Sequence, residues 1–314
     1  MNKLKIIFAG TEYFSAAHLN ALITSSHKVI AVLTQPDRAS GRGQKIHFSP
    51  VKILSIKHNI PVYQPLNLSN QIFKNTILQL NADIMIVVAY GKIIPKNILT
   101  IFSKGCINIH PSLLPRWRGA TPIQSSILHG DKTTGISIIN MNDQIDSGEI
   151  IYSMECEISL KDTTKSLSLK LIKIGIQGLL ETLQNIILNK IIKKKQNKKY
   201  ITLSKKINKI DALLNWNSNA QQLERCIRAF NPWPICYLIL KNINIKVWQS
   251  TVIPITNNQK SIGEIICVNK YGIQINTSYQ ILNIQKIQLP GKKIIDIKHI
   301  IKYKKNLFKP GTII

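Results

Sequence analysis

Two polar residues share one face of a short apolar run, Cys106-Ile107-Asn108-Ile109-His110. Side chains of a strand alternate in direction, so Asn108 and His110 project together while Ile107 and Ile109 project to the other side. Pro111 cannot continue a hydrogen-bonded ladder and ends the strand. Both polar groups therefore stand at a carboxyl end, where open α/β sheets bind their ligands. Taken alone, the pair has a plain alternative: a buried Asn and His satisfied by neighbouring loops. A second segment weighs against it. Residues 135–141 read as a strand, and Asn142-Asp143-Gln144-Ile145-Asp146-Ser147-Gly148-Glu149 as the loop leaving it. Turn formation or capping explains any one carboxylate in such a loop. Asp146, between Ile145 and Ser147-Gly148, is the one expected to point inward. A carboxylate that orients an imidazole, beside an amide that donates to a developing oxyanion, suits acyl transfer. No Gly-x-Ser-x-Gly accompanies them and Cys106 lies too far back on its strand, so the nucleophile is expected from the substrate.

The elements that must position these groups alternate along the first half. Strands are expected at 5–9, 29–34, 61–63, 84–89 and 107–110, with helices at 13–23, 50–57, 70–80 and 95–102 between them. The 84–89 run is apolar on both faces, which implies a doubly wound, mostly parallel α/β sheet. Ala9-Gly10-Thr11 lacks the Gly-x-Gly-x-x-Gly fingerprint and no phosphate loop occurs, which disfavours nicotinamide and ATP. After Lys199 the texture changes. A helix at 220–230 ends at Asn231-Pro232, and short strands follow at 236–240, 243–248, 262–268, 272–276 and 280–288, with a last helix at 296–303. Five short strands with local turns suggest a small OB-like β-barrel, with Trp233 and Trp248 in its core. The expected organisation is a catalytic domain over 1–189, a basic linker over 190–207 and a C-terminal domain over 208–314.

Composition narrows the partners. The 314 residues hold 42 Lys and Arg against 15 Asp and Glu, a formal net charge of +27. A polyanion is the first partner to consider. Ile, Asn and Lys are heavily used throughout, as AT-rich coding produces, so placement informs more than the total. The densest run is Lys190, Lys193, Lys194, Lys195, Lys198 and Lys199, suited to following phosphate without reading sequence. A second basic segment, 35–49, holds Arg38, Arg42 and Lys45 among Gly41 and Gly43 and is longer than most connections, a feature of binding loops. No apolar run approaches the roughly 20 residues of a membrane span. The five scattered cysteines offer no Cys-x-x-Cys pair, which fits a reducing cytoplasm with neither a metal site nor a disulfide framework.

The ordered motifs carry a family resemblance. Asn108-Ile109-His110-Pro111-Ser112-Leu113-Leu114-Pro115, Arg116-Trp117-Arg118-Gly119, Pro122-Ile123-Gln124 and Ile145-Asp146-Ser147-Gly148 closely resemble the folate-dependent formyltransferases. Phe8-Ala9-Gly10-Thr11, Thr34-Gln35-Pro36-Asp37-Arg38, Gly41-Arg42-Gly43, Ser49-Pro50-Val51-Lys52 and Arg228-Ala229-Phe230-Asn231-Pro232-Trp233-Pro234 are similar to the branch acting on initiator methionyl-tRNA. The resemblance spans nearly the whole chain. It implies 10-formyltetrahydrofolate as donor, no metal, no membrane and no DNA. It also implies Asn108, His110 and Asp146 as the catalytic set and Ser112, Leu113, Leu114 and Pro115 as the folate loop. Arg42 would then approach the acceptor end of the tRNA, with Arg38, Lys45, Lys193, Lys194 and Lys195 also meeting the tRNA. Departures from the family pattern are Glu12-Tyr13 after Gly10-Thr11, Gln144, which bears on the turn if a positive φ is needed there, and Glu149. The alternatives are a formyltransferase acting on an amino sugar nucleotide, glycinamide ribonucleotide or another small amine, and an RNA-binding protein with an inactive α/β half.

Overall fold

The computed structural model describes residues 3–40, 43, 45–255, 259–300 and 307–314. In chain order the strands are β1 (Lys5–Gly10), β2 (Lys28–Leu33), β3 (Arg38–Ser40), β4 (Lys45–His47), β5 (Val62–Tyr63), β6 (Ile84–Val88), β7 (Cys106–His110), β8 (Arg118–Gly119), β9 (Thr133–Asn140), β10 (Glu149–Glu157), β11 (Leu203–Ser204), β12 (Tyr237–Leu240), β13 (Ile243–Ile253), β14 (Ile265–Asn269), β15 (Gly272–Asn276), β16 (Ile281–Gln288) and β17 (Ile295–Asp296). The helices are α1 (Tyr13–Ile23), α2 (Pro50–Lys57), α3 (Gln71–Gln79), α4 (Lys96–Leu99), α5 (Pro122–Leu128), α6 (Thr164–Ile187), α7 (Ala220–Ala229) and α8 (Ile297–Ile300). The chain forms two compact units, one of 1–122, 133–157 and 168–205, the other of 123–132, 158–167 and 206–314.

In the first unit a seven-stranded sheet runs β10-β9-β7-β6-β1-β2-β5. The five strands from β7 to β5 are parallel, β9 is antiparallel to β7, and β10 antiparallel to β9. Every residue of β6 is buried, as expected of a strand covered on both faces. The direction of winding reverses between β1 and β6, which opens a crevice at their carboxyl ends. There Thr11 Oγ1 and Gln35 Nε2 both donate to Tyr90 O at 3.0 Å. A Cβ on Gly10 would meet Ser15, Phe8 and Val88 O within 2.9 Å, so only glycine fits where α1 closes on the sheet.

Helices α1 and α2 fall where the pattern sets them. Ser49 Oγ accepts from Lys52 N at 3.0 Å and Pro50 opens α2, the usual cap and first residue. The 35–49 segment differs from an open loop. Arg38 to Ser40 pairs with Lys45 to His47 as a separate hairpin. Segment 190–205 belongs to the first unit: Lys194 and Ile150 exchange two backbone hydrogen bonds of 2.8 Å, and β11 pairs in parallel with β8.

The second unit carries α7, whose Asn219 and Gln222 form a reciprocal capping box. Its sheet is antiparallel, ordered β12-β13-β16-β15-β14 with β17 on the far part of β16. Strand β13 runs well past residue 248, and its register against β16 shifts twice near Gln249, the kind of irregularity that curves a sheet. The expected core position of Trp233 is corrected: its side chain is 52% exposed. It lies in the turn between α7 and β12, where strand alternation gives no inward side. Trp248 is half-buried and donates through Nε1 to Gln288 Oε1 at 3.2 Å. Trp216 is the buried indole of this unit.

Candidate active site

Strand β7 lies between β6 and β9, with Asn108 opposite Ile139 and His110 opposite Ser137. The loop between β9 and β10 brings Asp146 to its end. Asp146 adopts a left-handed φ of 48°, a region in which Asp is among the better-tolerated residues. The positive φ of this loop thus falls on Asp146 rather than on Gln144. A Cβ on Gly148 would come within 1.9 Å of Asn140 O, so the loop returns to the sheet at a place only glycine occupies.

The three residues interlock. Asn108 Nδ2 donates to Asp146 Oδ1 at 3.0 Å, and Gly119 N donates to Asp146 Oδ2 at 2.8 Å. His110 Nδ1 stands 3.5 Å from the same Oδ2, with side-chain exposures of 4% for His110 and 13% for Asp146. His110 Nε2 lies 2.9 Å from Trp117 O. Both ring nitrogens therefore face oxygens that only accept, so a neutral ring satisfies one and an imidazolium both. A primary amide carries two N–H donors, so Asn108 has one beyond the bond to Asp146. Cys106 is buried with its thiol turned to Leu99 O at 3.6 Å, and burial pushes its pKa up to about 12, as for an inert thiol.

The Ser112–Pro115 loop follows His110 after Pro111 and is pinned to β9. Ser137 Oγ donates to Ser112 O at 2.8 Å and accepts from Leu114 N at 3.0 Å. Ser112 Oγ donates to Arg116 O at 2.6 Å. Ser112 and Leu114 are buried, Leu113 and Pro115 half-buried, and the Leu114–Pro115 peptide is cis. Beyond the loop, the Arg116 guanidinium lies 4.3 Å over the buried Trp117 ring, a cation–π contact. Burial lowers the Arg118 pKa, and the Asp146 charge opposes that effect.

Arg38 is exposed on β3, Lys45 lies on β4, and Arg42 falls outside the described residues. The base of that hairpin is fixed. The Lys52 ammonium pairs with Asp37, donates to Gln64 Oε1 at 2.9 Å and lies 4.1 Å over the Phe48 ring. Gln64 Nε2 donates to Gln35 O at 2.8 Å and Asp37 Oδ1 at 2.9 Å. The hydrogen bond from Lys52 holds the Asp37 carboxyl below its ordinary pKa. The side chains of Lys193, Lys194 and Lys195 are exposed.

Sequence reasoning missed several groups that build the site: the Trp117 carbonyl, the Gly119 amide, the Ser137 hydroxyl and Gln196. Trp117 and Gly119 lay within a recognised motif. Gln196 had no local signal, being one amide in a lysine run. Among the described residues no cluster of three or more His, Cys, Asp or Glu could hold a metal ion, and no helix is long and apolar enough to cross a membrane.

Residues 2–183 match the family model described as formyl transferase, and 206–305 match that of the formyl transferase C-terminal domain. The chain belongs to the formyl transferase family. A methionyl-tRNA formyltransferase of Buchnera aphidicola subsp. Acyrthosiphon pisum (strain Tuc7) is 72% identical over 314 residues, all of both chains. Among solved structures, an N-formyltransferase from Helicobacter canadensis, in complex with folinic acid and dTDP-3-aminofucose, matches this formyl transferase at 19% identity. Its TM-score is 0.67, over 90% of this chain and 99% of that one. HypX from Aquifex aeolicus matches with a TM-score of 0.66 at 12% identity over 98% of this chain, which spans half of that protein's length. These structural likenesses show the fold.

Proposed function

We propose that this formyl transferase moves the formyl group of 10-formyltetrahydrofolate to the α-amine of initiator methionyl-tRNA. The observation that carries the reading is the full-length, two-domain identity to methionyl-tRNA formyltransferase. The interlocked Asn108, Asp146 and His110 supply chemistry to match. The methionyl amine attacks the formyl carbon, and the carbonyl oxygen becomes an oxyanion. The second N–H of Asn108 donates to it, where a preorganised donor gains most because the charge develops there. His110 reaches the oxyanion by releasing Trp117 O. The amine's proton passes to the His110–Asp146 pair and from it to the departing folate nitrogen as the formyl–nitrogen bond breaks. Asp146, fixed by Asn108 and Gly119, orients the imidazole for this transfer. The Ser112–Pro115 loop, held against β9, lines the folate side of the formyl carbon, while Arg38, Arg42, Lys45, Lys193, Lys194 and Lys195 meet the tRNA.

Incubation with a radiolabelled formyl donor and charged initiator tRNA tests the reading, with uncharged tRNA and an amino sugar nucleotide as controls. Label on the charged tRNA alone supports it. Label on the amino sugar in its place overturns it.

A further inference from the structure

We infer that Gln196 is a positioning residue, the clasp through which segment 194–205 holds Asp146 in the conformation that aims its carboxylate at Asn108, His110 and Gly119. The inference rests on the proposed function of that site. Gln196 is half-buried in a stretch whose neighbours, 192–195 and 197–200, are mostly exposed. Its side chain is fully used. Nε2 donates to Asp146 O and to Gly148 O, each at 2.8 Å. Oε1 accepts from Arg118 Nε at 3.0 Å and Nη2 at 2.8 Å. A primary amide has two N–H donors and one oxygen with two lone pairs, so all four go to the two segments that flank the Asp146 carboxylate.

The backbone of Asp146 gives these bonds their purpose. Its φ of 48° lies in the left-handed region, which Asp tolerates better than most residues but at a cost that the surroundings must offset. The Gln196 amide grips the carbonyls on either side of the Ser147–Gly148 turn, Asp146 O and Gly148 O. Its oxygen at the same time fixes Arg118, whose strand residue Gly119 donates to Asp146 Oδ2. Further along the segment, Thr202 Oγ1 accepts from Trp117 N and Thr202 O from Arg118 N, both at 2.9 Å. Ser204 Oγ donates to Arg118 O at 3.1 Å. The residue whose carbonyl meets His110 Nε2 is thus tied to the same segment. One strap sets both oxygen neighbours of the histidine. Lys193, Lys194, Lys195, Lys198 and Lys199 flank the clasp and are exposed.

Two substitutions separate positioning from packing. Gln196→Met keeps the length and bulk of the side chain and removes every hydrogen bond. Gln196→Glu keeps an acceptor toward Arg118 and removes both donors to the Asp146 loop. Both should lower kcat for methionyl-tRNA formylation by about 10- to 100-fold at saturating substrates, the scale of a small misplacement of reacting groups. KM for tRNA and for the folate donor should move by less than about threefold, and the melting temperature should hold. Gln196→Asn, which is too short to span the four partners, replaces the methionine variant if that one fails to fold, with the same loss expected. Amide hydrogen exchange at Gly119, whose N–H ends on Asp146, should quicken about tenfold in Gln196→Met while β7 and β9 keep their protection. This arm does not depend on formylation. A wild-type protein that does not formylate methionyl-tRNA overturns the proposed function, and Gly119 exchange still decides the role of Gln196. Wild-type kcat in both variants, or unchanged Gly119 exchange, overturns the clasp.

Discussion

The end of β7 and the β3–β4 hairpin are both rich in polar side chains, and they use them in opposite ways. At β7 the groups face one another: Asp146 takes hydrogen bonds from Asn108 and Gly119, and its loop is gripped by Gln196. On the hairpin the hydrogen bonds among the described residues join Asp37, Lys52 and Gln64 at the base, and Arg38 is exposed. Groups that do chemistry must be held before the substrate arrives, since orientation is what they contribute. Groups that meet a polyanion must stay free to exchange water for phosphate, since their contribution is charge.

The largest effects should break the interlocked region. Asn108→Ala or His110→Ala should lower turnover by about 10²–10³-fold, the usual scale for a lost oxyanion donor, with donor and tRNA binding nearly retained. Turnover within about threefold of wild type in both would remove them from the chemistry. Asp146→Asn should also fall, because an amide in place of Oδ2 or Oδ1 sets a donor against the Gly119 or Asn108 donor. If it does not, Asp146 is a loop residue only.

Arg42→Ala probes the basic 35–49 segment at the residue expected to act most like a catalytic element. On the proposed function Arg42 would meet the acceptor end of the tRNA, and the single-turnover rate should then fall by up to about 10²-fold even at saturating tRNA. Rescue by more tRNA would make the hairpin a binding loop alone, and the contrast with β7 would sharpen.

His18 supplies a third kind of polar residue, one without a full set of partners. Its Nδ1 lies 2.7 Å from Phe14 O, while Nε2 is buried with no hydrogen-bond partner among the described residues. Burial drives its pKa down to about 4 from 6.5, against a weaker opposing effect of the Phe14 carbonyl. The unfolded chain therefore binds a proton below pH 6.5 that the folded chain refuses until about pH 4. Stability should fall across that window as pH drops, by about 3 kcal/mol at most. Urea unfolding of wild type and His18→Leu at about pH 7 and about pH 4.5 checks it: the variant should lose less on acidification, and equal losses would assign the effect elsewhere.

The smallest effect should come from charge alone. Neutralising Lys193, Lys194 and Lys195 together should weaken tRNA binding for initiator and elongator alike. It should also flatten the salt dependence by roughly 0.7–0.9 in log–log slope for each phosphate no longer neutralised. A wild-type slope would show that these lysines are merely solvated.

Much of the site's first layer was legible because it is local. Alternation alone places Asn108 and His110 on one face, and Pro111 ends their strand. The apolar 84–89 run could be covered only in a parallel sheet, and Ser49-Pro50 marks the start of α2. An Asp flanked by Ile145 and Ser147-Gly148 could be read as inward-facing. Such inferences need only the period of a strand, the fixed φ of proline and the partition of apolar side chains from water. The partners were settled by the tertiary structure. Gly119 meets Asp146 across 27 residues and Gln196 meets Arg118 across 78, and periodicity carries no information about which donor finds which acceptor at that distance. Trp233 shows the same limit from the apolar side, since a large ring reads as core until the turn that bears it is seen to have no inward face. Gln196 shows it most plainly: between lysines its amide reads as solvated, and only the return of that segment along β8 and the Asp146 loop gives it four partners.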